Sequence, residues 1–314
     1  MKKPLVSIIT PCLNSEKYIS KLLNSVLMQN YRPIELIIVN DGSTDGTLEI
    51  LEDYKPKFAR AGITFTLITQ KNNGVFSAVN AINTGLRKFS GDYLTQIDSD
   101  DYLAQEYSIE KKVEFLERNK QFDAVYSAVN VVDAKDYGNI IDIRKENYCP
   151  PREDLFLSSI LEMNYIWVPV AYLIRSKAFL KANPDRHILE DAPGQNIQMR
   201  LPMYYHSKVG YIDEVLGTVV AHDDSHSRRV MDIDETIKYQ NGVKTTYIDT
   251  INKIDMPKHE RDCYIQIINN KYDALFQRLE NQRLNSMFTE IRNSKSWKIT
   301  KPLRYISRLL KGDV

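Results

Sequence analysis

Tyr93-Leu94-Thr95-Gln96-Ile97-Asp98-Ser99-Asp100-Asp101 is a strand-like run that ends abruptly on three carboxylates. Ionised carboxylates this close repel one another, and a solvated acidic turn tolerates that at modest cost. The competing reading is a binding site. A hard divalent cation, Mn2+ or Mg2+, can bridge such carboxylates to a diphosphate, because oxygen ligands and substrate phosphates are its usual company. Residues i and i+2 of an extended turn point the same way, so Asp98 and Asp100 can act together. The acids alone leave the two readings open.

The residues upstream repeat one theme. Leu5 to Ile9 is a short apolar run between Pro4 and Pro11, and it reads as a buried strand. Asn14 or Ser15 can cap a helix on which Tyr18, Ile19, Leu22, Leu23, Val26 and Leu27 recur at helical spacing. Ile34 to Val39 is a second buried strand, ending on Asn40-Asp41-Gly42. Asp45 can cap the next helix, Ile63 to Thr69 is a third strand, and Ser77 to Phe89 a third helix before the Gly91-Asp92 turn. Strands alternating with helices predict an α/β fold with a mostly parallel sheet flanked by helices. Ligands on such sheets bind beyond the C-terminal strand ends. Three polar loops leave those ends, at Thr10-Pro11, Asp41-Gly42 and Asp98 to Asp101.

Further on, Ala104 to Asn119 reads as a charged helix and Asp123 to Val132 as a strand. Asp136 to Pro151 reads as a loop or hairpin, Asp154 to Met163 as a helix, and Trp167 to Ile174 as a strand. A helix from Gln195 to Ser207 contains Pro202, which requires a kink. Val209 to Val220 reads as a final strand pair. Strand signals then stop, and Asp232 to Leu284 is helical in tone. The division expected is a catalytic domain over 1–222 and a helical accessory region over 223–314.

These motifs together resemble family 2 glycosyltransferases of the GT-A fold. The resemblance is carried by Val6-Ser7-Ile8-Ile9-Thr10-Pro11-Cys12-Leu13-Asn14, by Ile37-Ile38-Val39-Asn40-Asp41-Gly42-Ser43-Thr44-Asp45-Gly46-Thr47, by Asn73-Gly74 with Ala78 and Asn80, and by Gly91-Asp92-Tyr93 leading into the acidic cluster. It implies a Rossmann-like nucleotide-diphospho-sugar fold and an inverting, metal-dependent transfer from a UDP-linked sugar. It also implies roles. Asp41 would accept a hydrogen bond from uracil, where its plainer role is a turn-former before Gly42. Thr10, Pro11 and Asn14 would line the nucleoside, with helix capping an equal explanation for Asn14. Gly74 and Asn80 would face the nucleotide. Asp98 and Ser99 would meet ribose or donor sugar, and Asp100 would hold the metal.

The family places its catalytic base in a Glu-Asp pair, and Glu190-Asp191 is such a pair in a turn-rich stretch ahead of a helix. Asp191 is the residue the family pattern picks as base. However, Gly194-Gln195-Asn196-Ile197-Gln198 resembles a subgroup signature that keeps a carboxylate nearer Glu190. Arg200 would meet the diphosphate or the acceptor, with a place on the surface of its helix an equal explanation. Asp223-Asp224-Ser225-His226-Ser227 resembles the subgroup's closing segment, which makes His226, ahead of His222, the late metal ligand expected. Trp167 suits a core position better than a sugar platform.

Composition narrows the rest. The 314 residues are 43% hydrophobic and 26% charged with a net charge of +1, so nothing global points to nucleic acid. Three scattered cysteines (Cys12, Cys149, Cys263) form no zinc pattern and fit a reducing compartment. No apolar run reaches the ~18 residues a membrane span needs, so a cytoplasmic protein is expected. From Arg292 to Lys311 basic residues interleave with Trp297, Ile299, Leu303, Tyr305, Ile306, Leu309 and Leu310, without an acid. A basic amphipathic segment of this kind suits an anionic inner leaflet, the alternative being a helix packed on its own domain or on a second subunit, and Ser296 to Arg304 resembles a tail motif of bacterial enzymes that build surface polysaccharide. The acceptor implied is therefore a glycan or a lipid-linked glycan. A nucleotidyltransferase would want a glycine-rich basic loop after the first strand, which Thr10 to Asn14 lacks. A non-catalytic binding module would keep Asp41 and lose the other acids, which are retained.

Overall fold

The computed structural model describes residues 3–72, 74, 77–146, 155–161, 168–189, 193–222 and 231–300. The chain opens with three β–α units: β1 (Val6–Cys12), α1 (Ile19–Leu27), β2 (Ile34–Asn40), α2 (Thr47–Arg60), β3 (Thr64–Thr69) and α3 (Ser77–Leu86). Then come β4 (Tyr93–Gln96), β5 (Tyr102–Leu103), α4 (Ser108–Arg118), β6 (Ala124–Asp133), β7 (Asp136–Arg144) and α5 (Leu155–Leu161). A 3-10 turn (Pro169–Ala171) leads into β8 (Tyr172–Arg175), α6 (Ser176–Ala182), α7 (Gln195–His206) and β9 (Val209–Ala221). Helices α8 (Ile233–Lys253), α9 (Lys258–Asn293) and α10 (Lys295–Ile299) follow.

Among the described residues the nine strands form one sheet in the order β3-β2-β1-β4-β8-β6-β9-β5, with β7 paired to β6. From β3 to β4 every pairing is parallel. Beyond β4 the sheet is mixed: β8 runs antiparallel to β4 and β6, and β9 runs parallel to β6. The parallel half follows from the sequence, since β1 and β2 are nearly continuous apolar runs buried on both faces. The mixed half depends on long-range pairing that no local period reveals.

One turn sets the sheet's register at its N-terminal edge. Glu35 is buried and gathers the Ser90 N–H (2.6 Å), the Ser90 hydroxyl (2.9 Å) and the Ser7 hydroxyl. Gly91 fits here because a Cβ would lie 2.5 Å from Ser7 Oγ. Asp92 then accepts from the Leu5 N–H at 2.9 Å. The Gly91-Asp92 turn thus aims β4 alongside β1, with its acids at the opposite edge.

Two expectations change, and a third is narrowed to one of its alternatives. Val209 to Val220 is one long strand, not a pair. The polar Asp213-Glu214 break that suggests a turn is instead two extra residues bulged against β6. They face outward, where Glu214 meets Lys111 and Asp213 accepts from the Tyr211 hydroxyl at 3.2 Å. Asn14 does not cap α1, which starts at Ile19; its side chain crosses to the loop after β2. The segment after Asp136 is a hairpin strand as far as Arg144; Cys149, Pro150, Pro151 and Trp167 lie outside the described residues.

The late helices share the core of the sheet domain. Val243, Tyr247, Ile251, Ile268 and Tyr272 belong to the same buried cluster as β1 and β2. The Tyr247 hydroxyl donates to the Ser159 carbonyl (3.2 Å) and Lys271 to that of Ile160 (2.9 Å), which ties α8 and α9 to α5. Beyond Leu279 the apolar side chains of α9 are exposed: Leu284, Met287, Phe288 and Ile291. Among the described residues no helix is long and apolar enough to cross a membrane.

Candidate functional site

β2 and β4 flank β1, and all three parallel strands end at one edge. Asp41 leaves the end of β2 and Asp98 to Asp101 the end of β4, two strand spacings or about 10 Å apart in the sheet. Sheet order reverses between β1 and β4, so this crevice is a topological switch point.

Asp41 anchors one end. It is 1% exposed, and its Oδ1 accepts from Gln70 Nε2 at 2.6 Å. Gln70 is held in turn by the Thr84 hydroxyl of α3, which donates to Oε1 at 2.8 Å. Asp41 Oδ2 has no hydrogen-bond partner among the described residues. A buried carboxylate oxygen left this way costs free energy unless a ligand supplies a donor. Asn80 is half-buried one helical turn before Thr84, on the same side of α3. Gly74 is exposed, with φ at +120°, and its N–H donates to Asn72 Oδ1 at 2.8 Å.

The loop after β1 is built against the loop after β2. Asn14, with φ at +47°, accepts from the Thr44 N–H (2.8 Å) through Oδ1, and its own N–H donates to Ser43 Oγ (2.9 Å). Pro11 is half-buried and Thr10 fully buried. Ile9 faces α3, where Gly85 lies close against it, so by alternation Thr10 faces away from α3.

The acidic cluster divides into distinct environments. Asp98 accepts from Gln96 Nε2 at 2.8 Å, and its carboxyl is pushed up to about 6 by burial and by the neighbouring Asp100 charge. Ser99 bonds to the Ser15 hydroxyl at 2.7 Å. Asp101 is buried, accepts from the Val220 N–H (3.1 Å), and sits well above the usual carboxylate range because of burial and its two acidic neighbours. It ties the loop to β9. Asp100 Oδ2 lies 2.9 Å from His222 Nε2, and the His222 ring stacks on Tyr18 with centroids 4.6 Å apart.

Arg200 is no surface residue. It is 4% exposed, lies 4.3 Å over the Tyr172 ring and donates to Asn196 Oδ1 at 2.8 Å. Its charge pulls against the upward shift of Asp98, so α7 delivers a cation to the acidic end of the crevice. The surface placement expected as an alternative is excluded by this burial.

Glu190, Asp191 and His226 lie outside the described residues. His222 is the histidine that the described structure brings to Asp100. The sequence reading ranked it behind His226. Gln70 and Tyr18 went unmarked, as an ordinary amide and an ordinary amphipathic-helix aromatic.

A divalent ion fits this donor set in a limited way. Asp100 and His222 offer one carboxylate oxygen and one imidazole nitrogen side by side, beside crowded carboxylates whose repulsion a cation would relieve. Among the described residues no group of three or more acidic, histidine or cysteine side chains could enclose an ion. The set therefore suits an ion completed by phosphate and water, not an all-protein cage.

Comparison with known proteins agrees with this architecture. An uncharacterized glycosyltransferase of Haemophilus influenzae is 39% identical over 137 residues, 44% of this chain and 40% of its own length. TuaG of Bacillus subtilis, named a putative teichuronic acid biosynthesis glycosyltransferase, is 40% identical over 114 residues, 36% of this chain and 42% of its own. The chain thus spans under half the length of these relatives. Residues 1–349 of S. aureus TarS, solved in complex with UDP-GlcNAc, superpose with a TM-score of 0.64 at 21% identity, covering 86% of this chain and 72% of that one. That likeness is one of fold, and it is the GT-A arrangement. The family model for glycosyl transferase family 2 matches residues 7–186, more than half of the chain, and the chain belongs to that family.

Proposed function

We propose that this protein is an inverting, metal-dependent glycosyltransferase that moves a sugar from a UDP-linked donor to a glycan or lipid-linked acceptor in surface polysaccharide synthesis. The observation that carries the reading is the unpartnered, buried Oδ2 of Asp41 at one end of a crevice whose other end is acidic. A uracil N3–H supplies the donor that oxygen lacks, and the diphosphate then extends toward Asp98 and Asp100. The polysaccharide role is supported by the basic tail and by the name of the TuaG relative.

Asn14, Thr10, Pro11, Gly74 and Asn80 border the nucleoside, the first by holding the two loops together. Asp98 and Ser99 meet ribose or donor sugar. Asp100 with His222 holds Mn2+ or Mg2+, and His226 is a further candidate ligand. A bound ion offsets charge on the departing diphosphate. Arg200 supports the same charge from α7. Asp191, or Glu190 beside it, takes the proton of the acceptor hydroxyl as that oxygen attacks the anomeric carbon and UDP leaves. Residues 1–222 carry this chemistry, and 223–314 form an accessory unit whose segment 292–311 meets the inner face of the plasma membrane.

Titrating UDP into the protein with and without Mn2+ tests the donor site. Metal-dependent binding is expected, and equal affinity in both would remove Asp100 from its role. Turnover across a panel of UDP-sugars, with Asp191→Asn and Glu190→Gln alongside, tests the base. Undiminished turnover in both variants would sink that assignment.

A further inference from the structure

Asp41 is held by more than its own loop. Its backbone N–H donates to the Cys12 carbonyl at 2.8 Å, and the Gln70 N–H donates to the Asn40 carbonyl at 2.9 Å, so residue 70 stands beside residue 41 where β2 and β3 end. Gly42, with φ at +79°, turns the chain close against that neighbour: a Cβ there would lie 3.0 Å from the Asn72 nitrogen and 3.4 Å from the Gln70 carbonyl oxygen. The side chains then form a line. Arg87, just past α3, donates through Nη2 to Thr84 Oγ1 at 3.1 Å. The Thr84 hydroxyl donates to Gln70 Oε1 at 2.8 Å, and Gln70 Nε2 donates to Asp41 Oδ1 at 2.6 Å.

Every bond in this line runs the same way. A guanidinium has donors and no acceptor, so Thr84 accepts at the Arg87 end. Its single proton goes to Gln70. Elsewhere in the chain helical threonines spend that proton locally: Thr245, Thr250 and Thr289 each return it to the carbonyl four residues earlier. Thr84 sends it across to another element, and that commits the Gln70 amide. With Oε1 taken up by the hydroxyl, the NH2 group faces Asp41. Turned over, the amide would set its oxygen against a carboxylate oxygen with no proton between them.

The consequence falls on Asp41 Oδ2, which is buried and has no partner among the described residues. With Oδ1 receiving a proton donor, the carboxylate is fixed in place and presents Oδ2 as an acceptor to whatever lies beyond it. Uracil offers an N–H at ring position 3, whereas cytosine offers a bare lone pair there. An acceptor fixed in that place pairs with the first and repels the second.

We propose that Gln70 and Thr84 are positioning residues for pyrimidine selection, locking Asp41 as an acceptor so that the site takes uracil and refuses cytosine. This rests on the assignment of Asp41 to the base of the nucleotide. The same line makes a further demand on Asp41→Asn. Gln70 still donates, so it holds the new amide with its oxygen toward Gln70 and its NH2 toward the base, an arrangement that suits cytosine.

The test titrates the full chain with UDP and with CDP, Mn2+ present, and reads the ratio of the two affinities by calorimetry. The parent should prefer UDP, and Asp41→Asn should shift the ratio toward CDP. The near-isosteric Thr84→Val, and Gln70→Met, should each lower the preference for UDP at least about fivefold, while Thr84→Ser, which keeps the hydroxyl, stays within about twofold of the parent. Adding Thr84→Val to Asp41→Asn should weaken the shift toward CDP, because the amides are then free to turn. An unchanged ratio in both Thr84→Val and Gln70→Met, while Asp41→Asn shifts it, would overturn this inference and leave Asp41 at the base. Equal losses for UDP and CDP, the mark of a purely structural role, would overturn it as well, as would a Thr84→Ser that behaves like Thr84→Val. UDP affinity unaltered in Asp41→Asn would remove Asp41 from the base and this inference with it. If Gln70→Met does not fold, Thr84→Val decides alone.

Discussion

Replacing Asp41 by Asn keeps its size and its acceptor for Gln70 but turns the unpartnered oxygen into a donor. Hydrogen bonds to charged groups contribute about 1.5–3 kcal/mol, so UDP affinity measured by calorimetry should fall at least about tenfold, with the melting temperature little changed. An unaltered affinity would remove Asp41 from the nucleotide site. Lys112 offers a second test. It is buried on α4, donates to the Val170 carbonyl at 2.8 Å, and burial pulls its ammonium down to about 7. The unfolded chain therefore binds more protons than the folded one between pH 7 and the ordinary lysine range, and this group's contribution to stability rises with pH across that window. Lys112→Met should stabilise the protein most at pH 7 and below, with the gain in melting temperature shrinking toward pH 10. A gain independent of pH would show that Lys112 stays charged in the fold. At this scale the sequence singled out the acids well, because a carboxylate at a strand end is conspicuous. It could not separate their environments, which depend on Val220 and Arg200 arriving from elsewhere.

Helix α3 is the element on which the crevice leans. It carries Thr84, which orients Gln70 toward Asp41, and Asn83, which grips Ile188. It sits close to β1 because Gly85 has no side chain: a Cβ there would lie 2.4 Å from Ile9 Cγ2. Gly85→Ala should lift α3 from the sheet and cost about 1–3 kcal/mol in chemical denaturation. Joined with Ile9→Ala, the loss should be smaller than the sum of the two single losses, since the second change opens the space the first one fills. Strict additivity would mean that the close approach matters little. The helix itself was legible from its period, running close to its expected bounds. Its closeness to β1 was not, because a single glycine in a helical pattern has many explanations until its neighbour across the interface is known. The same holds for β9, whose Asp213-Glu214 bulge mimics a turn in a local reading.

For the whole molecule, the late helices differ along their length. Near α5 and α7 they are buried in the common core. Toward Thr300 they are exposed and basic, with Trp297 and Ile299 at the surface. Deleting residues 301–314 should leave UDP affinity and melting temperature unchanged while abolishing co-sedimentation with vesicles rich in anionic lipid, an interaction that should also weaken with salt. Retained binding of the truncated chain to such vesicles would place membrane contact elsewhere or nowhere.

By itself the sequence determined the parallel half of the sheet, the edge at which its polar loops gather, and the acids on those loops. Those features are local: strands buried on both faces read as unbroken apolar runs, and each β–α unit closes within a few tens of residues. Only the tertiary structure decided that the sheet turns mixed beyond β4 and that Arg200 is buried beside Asp98. It alone paired His222 with Asp100 and brought Asn83 to Ile188, Gln198 to Leu189 and Thr246 to Pro193. Asn83 and Ile188 are 105 residues apart in the chain. Contacts at that distance leave no period or motif behind, because they arise from how separately formed elements close on one another.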